Sequence, residues 1–144
     1  MSALHGALGA GVAGSFALTA LLGAWTWWRA PRGRAFWRLL RMAQALLAVQ
    51  AALGGALVLT GRAVDDLHLM YGLLALAVSL AAEQLRLSAA QTVLASRGHE
   101  SAAAVGELAV AEQREVVEAV VRREVGVMAV AAAVIVVLVL RAGV

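Results

Sequence analysis

Four apolar runs, at about residues 4–28, 42–60, 67–82 and 125–140, contain no Asp, Glu, Lys or Arg, and they govern what this chain can become. Crossing the hydrocarbon core of a bilayer takes roughly 20 helical residues at about 1.5 Å each, and the runs are of that order. In lipid every backbone N–H and C=O must find its partner within the protein, so apolar runs of this length fold as helices or as a closed barrel. No alternation of polar and apolar residues supports the barrel. With 62% hydrophobic and only 15% charged residues among 144, the composition departs from a soluble domain in the same direction. The expected fold class is therefore an all-α integral membrane protein. It is one membrane domain over residues 1–144, a four-transmembrane-helix up-down bundle with a cytoplasmic helical extension of helices 3 and 4. A cleaved signal peptide competes for the first run, but basic residues follow that run and do not precede it, so it is read as a retained span.

The net charge of +3 comes from twelve Arg and no Lys. These Arg are not interleaved with aromatics along a soluble surface, as a nucleic-acid-binding chain would arrange them; they collect at the ends of the apolar runs, so no nucleic-acid partner is expected. Ten lie within residues 29–41 and 86–124, against Arg62 and Arg141 on the opposite side. The positive-inside rule then places both termini outside. The vocabulary rich in Ala, Val, Gly and Arg is that of a GC-rich genome, and the expected location is a bacterial inner (cytoplasmic) membrane, multi-pass. Residues 29–41 read as a cytoplasmic loop turned by Pro31 and Gly33, with Trp25, Trp27, Trp28 and Trp37 set at the headgroup level on both sides. Residues 85–124 read as a helical hairpin outside the bilayer, broken at Gly98 and restarted by Ser101 as N-cap. Its second arm is expected to run unbroken into the fourth span. Val116, Val117, Val120 and Val121 form its apolar face, facing Val93, Leu94 and Leu108, and Glu118 lies four residues before Arg122 as a helical ion pair. Packing of the two arms on each other is favoured over docking of a partner.

Cysteine is absent, which removes disulfides, thiolate metal sites, iron–sulfur clusters and cysteine nucleophiles together. Neither a P-loop, a dinucleotide fingerprint, a zincin helix nor a serine elbow is present. His99 and Glu100 sit at a turn tip without a second ligand pair. Gln50 reads as an interhelical hydrogen-bond donor. Glu83 and Gln84 mark emergence from the bilayer, and Asp65 or Asp66 caps the helix that starts near Leu67.

The residues that carry chemistry are His5 and His68. Each opens a span that descends toward the cytoplasm, so the deduced topology sets both at one depth on the outer side. Leu4-His5-Gly6-Ala7-Leu8-Gly9 and Leu67-His68-Leu69-Met70-Tyr71-Gly72 share a Leu before the His and a Gly four residues after it. Spacing of four puts Gly9 and Gly72 one turn deeper on the histidine face, where a missing side chain leaves room for a flat ligand. That pattern suits two imidazoles closing on a haem iron from opposite faces, with His5 and His68 as axial ligands. Gly54 and Gly55 relieve crowding from a third side. Arg62, in the external loop, can pair with a haem propionate in two contacts, and Tyr71 is within reach of the same region.

The stretch Gln50-Ala51-Ala52-Leu53-Gly54-Gly55-Ala56-Leu57-Val58-Leu59-Thr60-Gly61, then a short loop and Leu67-His68-Leu69, resembles the third and fourth helices of one half of the heme A synthase bundle. The resemblance covers about residues 2–85. It implies a haem-ligating His at the start of the helix after the Gln helix, which is His68, and a partner ligand opening the helix before it, where His5 falls. The family's catalytic carboxylate would fall at or before residue 1, where this chain has no Asp or Glu, and the second half of the family's fold has no counterpart. The resemblance thus implies haem binding and argues against heme A synthesis.

The expected function is a small b-type cytochrome carrying haem b, an electron-transfer protein or haem-carrying subunit of a respiratory or redox membrane complex, and not itself an enzyme. Its expected partners are the lipid bilayer and other membrane subunits or a second copy of the chain. The alternative is a cofactor-free accessory or scaffold subunit of a larger membrane complex. A transporter ranks third, because one four-helix chain offers few intramembrane charges.

Overall fold

A computed structural model describes residues 2–29, 34–61, 63–99 and 101–143. Among these the secondary structure is helical throughout: α1 (Ser2–Arg29), α2 (Arg34–Leu59), α3 (Asp66–Leu87), α4 (Ala89–Ser96), α5 (Ala102–Gly106) and α6 (Val110–Arg141). Four helical stretches are long and apolar enough to cross a membrane, namely Leu4–Arg29, Arg34–Leu59, Asp66–Ser96 and Val110–Arg141.

Helix α6 packs against both α1 and α3, and α1 also packs against α2. The core has two centres. One joins Val12 and Phe16 of α1 to Leu47 of α2 and to Ile135 and Val139 of α6. The other joins Phe36 and Leu40 of α2 to Ala82 of α3 and to Val125 and Met128 of α6. Close approach of α1 to α6 depends on Gly23. A Cβ there would lie 2.7 Å from Ala129 Cβ and 2.7 Å from Phe36 Cε2, so the helices meet across bare backbone, as small residues allow in membrane bundles.

Helices α2 and α3 touch only thinly, and polar side chains join them at one end. Glu83 accepts from Arg41 at 2.7 Å, from Gln44 at 2.9 Å and from Arg86 at 2.9 Å. The Arg86 guanidinium also lies 5.4 Å from the Trp37 ring centre. Charge-assisted bonds converging on one half-buried carboxylate replace the apolar packing missing from this helix pair. Glu83 is thus a ligand of two helices, beyond marking a boundary.

Three local expectations change. The segment read as a loop over 29–41 is helical from Arg34, because Phe36 and Leu40, four residues apart, are fully buried while Arg34, Arg38 and Arg41 stay exposed. That amphipathic turn is paid for by core contacts that a count of Arg conceals. Pro31 and Gly33 lie outside the described residues. Gly98 does end α4, with φ +75°, and Ser101 does cap α5 by accepting from the Ala104 N–H at 3.3 Å. The arm after it is nevertheless broken: α5 stops at Gly106 and α6 begins at Val110, with the Gln113 amide donating to the carbonyls of Gly106 and Leu108 across the gap. From Val110 the helix is continuous to Arg141. Along it Val116 is buried but Val117 is 57% exposed, and Glu118 pairs at 3.7 Å with Arg114, one turn before it, where the sequence had suggested Arg122.

Candidate functional site

The starts of α1 and α3 meet the ends of α2 and α6 around one cavity of about 540 Å³. That volume falls within the range of roughly 300–1,000 Å³ common for small-molecule and cofactor pockets. His5, Gly9, Gly54, Gly55, His68 and Gly72 all line it. Arg62 lies outside the described residues. Tyr71 is half-buried but does not belong to the cavity wall among the described residues.

His68 is fixed from two directions. Asp65 caps α3 and its carboxylate accepts the His68 backbone N–H at 3.4 Å. On the ring, Nδ1 lies 2.6 Å from the carbonyl oxygen of Ala142, just beyond the end of α6. The last carbonyls of a helix have no partner inside it, and a carbonyl can only accept. In the neutral ring Nδ1 therefore carries the hydrogen, and Nε2 keeps a free lone pair. A ligating imidazole is commonly oriented in this way, its second nitrogen donating to a carbonyl.

His5 is held by α2. The Gln50 side-chain amide nitrogen donates to the His5 carbonyl oxygen at 3.0 Å and lies 3.2 Å from His5 Nε2. Nε2 then accepts, which leaves the hydrogen on Nδ1. Both His5 Nδ1 and Gln50 Oε1 are buried without a hydrogen-bond partner. Orphaned polar atoms are costly and need an explanation, and here both belong to residues that line the cavity.

The two imidazole centres are 5.8 Å apart, with ring planes tilted by 51°. A metal held by two imidazole nitrogens at roughly 2 Å each puts the ring centres about 6 Å apart, so the spacing suits one atom between the rings. The glycines provide the width. A Cβ at Gly54 would touch His5 Cε1 at 3.4 Å, whereas at Gly55 and Gly72 it would meet nothing within 4 Å. The donor types, the ring spacing and the room left by the glycines among the apolar lining would fit a haem held by His68 and His5, on the condition that His5 exchanges Gln50 for the iron. His99 belongs to no such constellation; no group of three or more His, Asp or Glu arranged to hold a metal ion occurs among the described residues.

Two contributors escaped the sequence. The Ala142 carbonyl is a backbone atom and leaves no mark in the letters, and Val139 and Gly143 bring α6 into the wall as a fourth side. The pairing of Gln50 with His5 was half visible, since an amide in an apolar helix needs a partner but does not say which. Comparison with known proteins finds no matching family model, no matching curated protein and no matching solved structure.

Proposed function

We propose that this chain is a small membrane b-type cytochrome, binding one haem between His5 and His68 and serving as an electron carrier or haem-carrying subunit of a redox membrane complex. The observation that carries the reading is the pair of imidazoles 5.8 Å apart at a cavity whose apolar lining includes Gly9, Gly54, Gly55 and Gly72. In this reading the four long helices form an up-down transmembrane bundle in a bacterial inner membrane. Both termini and the haem lie on the outer side, and the Arg-rich ends face the cytoplasm. The partners are the bilayer and further membrane subunits or a second copy of the chain.

Bound there, haem supplies a one-electron ferric–ferrous couple. The protein supplies the rest. His68 offers its Nε2 lone pair, and its Nδ1–H bond to Ala142 fixes the ring and raises the basicity of the ligand. His5, once released from Gln50, would supply the second imidazole nitrogen. Leu47, Leu76 and Val139 add apolar surface to the cavity wall, and the polarity around a haem is one of the levers on its potential. Arg62 is placed by sequence to pair with a propionate.

A cofactor-free accessory subunit is the second reading, and one observation favours it: the bonds between Gln50 and His5 give this histidine a structural role without a metal. Titrating the detergent-purified protein with haemin separates the two. The cytochrome reading expects saturation at one haem per chain with a sharp Soret band. Absence of saturable uptake overturns it and leaves the accessory role.

A further inference from the structure

Three of the helix seams around the cavity are closed, each in its own way. The Gln50 amide joins α2 to the His5 carbonyl of α1 at 3.0 Å, His68 of α3 meets the Ala142 carbonyl at the end of α6 at 2.6 Å, and α1 shares with α6 the buried cluster of Val12, Phe16, Ile135 and Val139. The seam between α2 and α3 differs. Its outermost hydrogen bond among the described residues runs from Gln44 to Ser79 at 3.5 Å. Gly55 lies eleven residues outward from Gln44, and Gly72 eleven residues outward from Glu83, to which Gln44 donates at 2.9 Å. Eleven residues make about three helical turns, so in this antiparallel pair the two glycines stand level, each toward the other helix. A Cβ at either would meet nothing within 4 Å. Beside them Val58, Leu69 and Leu73 line the cavity and yet are 39%, 41% and 58% exposed. The cavity therefore opens on the outer surface of the bundle through a slot between α2 and α3.

We infer that the site is filled from the bilayer: a flat amphiphile dissolved in the lipid enters edge-on between α2 and α3, passing Gly55 and Gly72. That the occupant is haem rests on the reading above. Both helices are among those long and apolar enough to cross a membrane, so when they do, the slot faces lipid and is flanked by Val58, Leu69 and Leu73. A porphyrin is wide but thin, and a slot with no side chain on either lip suits its edge. Entry through any other seam would break a hydrogen bond or part a packed core. At the opposite end Glu83 accepts from Arg41 and Gln44, so the inner ends of the two helices stay joined while their outer halves are free to part.

Transfer of haemin, and of iron-free protoporphyrin IX, from phosphatidylcholine vesicles to the full-length protein reconstituted in the same lipid tests this. The chain has no cysteine, so Val58→Cys with Leu69→Cys places one thiol pair across the slot, and a short bis-maleimide ties it. Compared with the untied protein of the same sequence, tying is expected to slow porphyrin uptake by at least about tenfold, because association that must wait for a conformational change is slower. Release of porphyrin loaded before tying should slow by a like factor while the equilibrium affinity stays the same, a pattern that loss of the fold would not produce. Leu73→Trp, which adds bulk at the slot, serves as a second variant with slower entry and exit should the double substitution not fold. Uptake unchanged by the tie, or faster loading from aqueous haemin than from vesicles, overturns lateral entry, leaves the slot to lipid chains and does not touch haem binding. Protoporphyrin uptake that the tie slows, together with haemin that gives no low-spin spectrum, supports the slot and overturns the haem reading. Failure of both porphyrins to enter the wild-type protein overturns both.

Discussion

Replacing His68 with alanine is expected to weaken haem binding by more than about 100-fold while leaving the helical bundle folded. Changes to groups that merely orient a metal ligand cost about 10- to 100-fold in affinity, and His68 is the ligand itself in this account. It is the only one of the two histidines whose free nitrogen requires no rearrangement. The fold should tolerate the change. The ring is half-buried and lies at the rim of an existing cavity, and Asp65 caps α3 through the backbone N–H of residue 68, which alanine retains. The Ala142 carbonyl loses a donor but sits at a helix end where water can replace it. Haemin titration monitored at the Soret band measures the affinity, and circular dichroism checks that helix content is unchanged. Wild-type affinity in His68→Ala would remove this residue from the site.

Gly72→Leu is expected to separate stability from binding. A Cβ at position 72 meets no atom within 4 Å, so the leucine side chain would occupy the cavity one turn below His68. Replacing Gly inside a helix gains about 0.5–1 kcal/mol from backbone entropy, and the filled void adds apolar contact. The variant should unfold at the same temperature as wild type or a higher one. Haem affinity should nevertheless drop by at least about tenfold, because the plane of the ligand and the new side chain compete for the same space. Thermal unfolding in detergent and haemin titration read the two quantities independently. A variant that binds haem normally would mean that the glycine wall serves helix packing only.

The parts of this architecture that were legible in the sequence share one property: each is written in a long run or a fixed spacing. Four charge-free stretches declared the long helices, and a cap such as Asp65 or Ser101 is a local pattern with a local cause. The convergence of His5, Gly9, Gly54, Gly55, His68 and Gly72 on one cavity could be anticipated because topology alone sets the starts of α1 and α3 side by side. What escaped depends on partners remote in sequence. The early start of α2 at Arg34 is driven by burial of Phe36 and Leu40 against α3 and α6, which five neighbouring Arg obscure. The break between α5 and α6 is satisfied by Gln113, whose amide bonds to two backbone carbonyls that no sequence pattern displays. Glu118 pairs with Arg114 and not with Arg122 on an exposed helix face, where each such pair is worth only about 0.2–0.5 kcal/mol and spacing alone does not choose between them. The Ala142 carbonyl, which orients His68, is invisible for the most basic reason: every residue has one.

Electron paramagnetic resonance of the ferric, haem-loaded protein tests the bis-histidine assignment most directly, since two axial imidazoles enforce a low-spin iron. The wild-type protein should give a low-spin signal that turns high-spin in both His5→Ala and His68→Ala. A high-spin wild-type signal, or a low-spin signal that survives both substitutions, would contradict it.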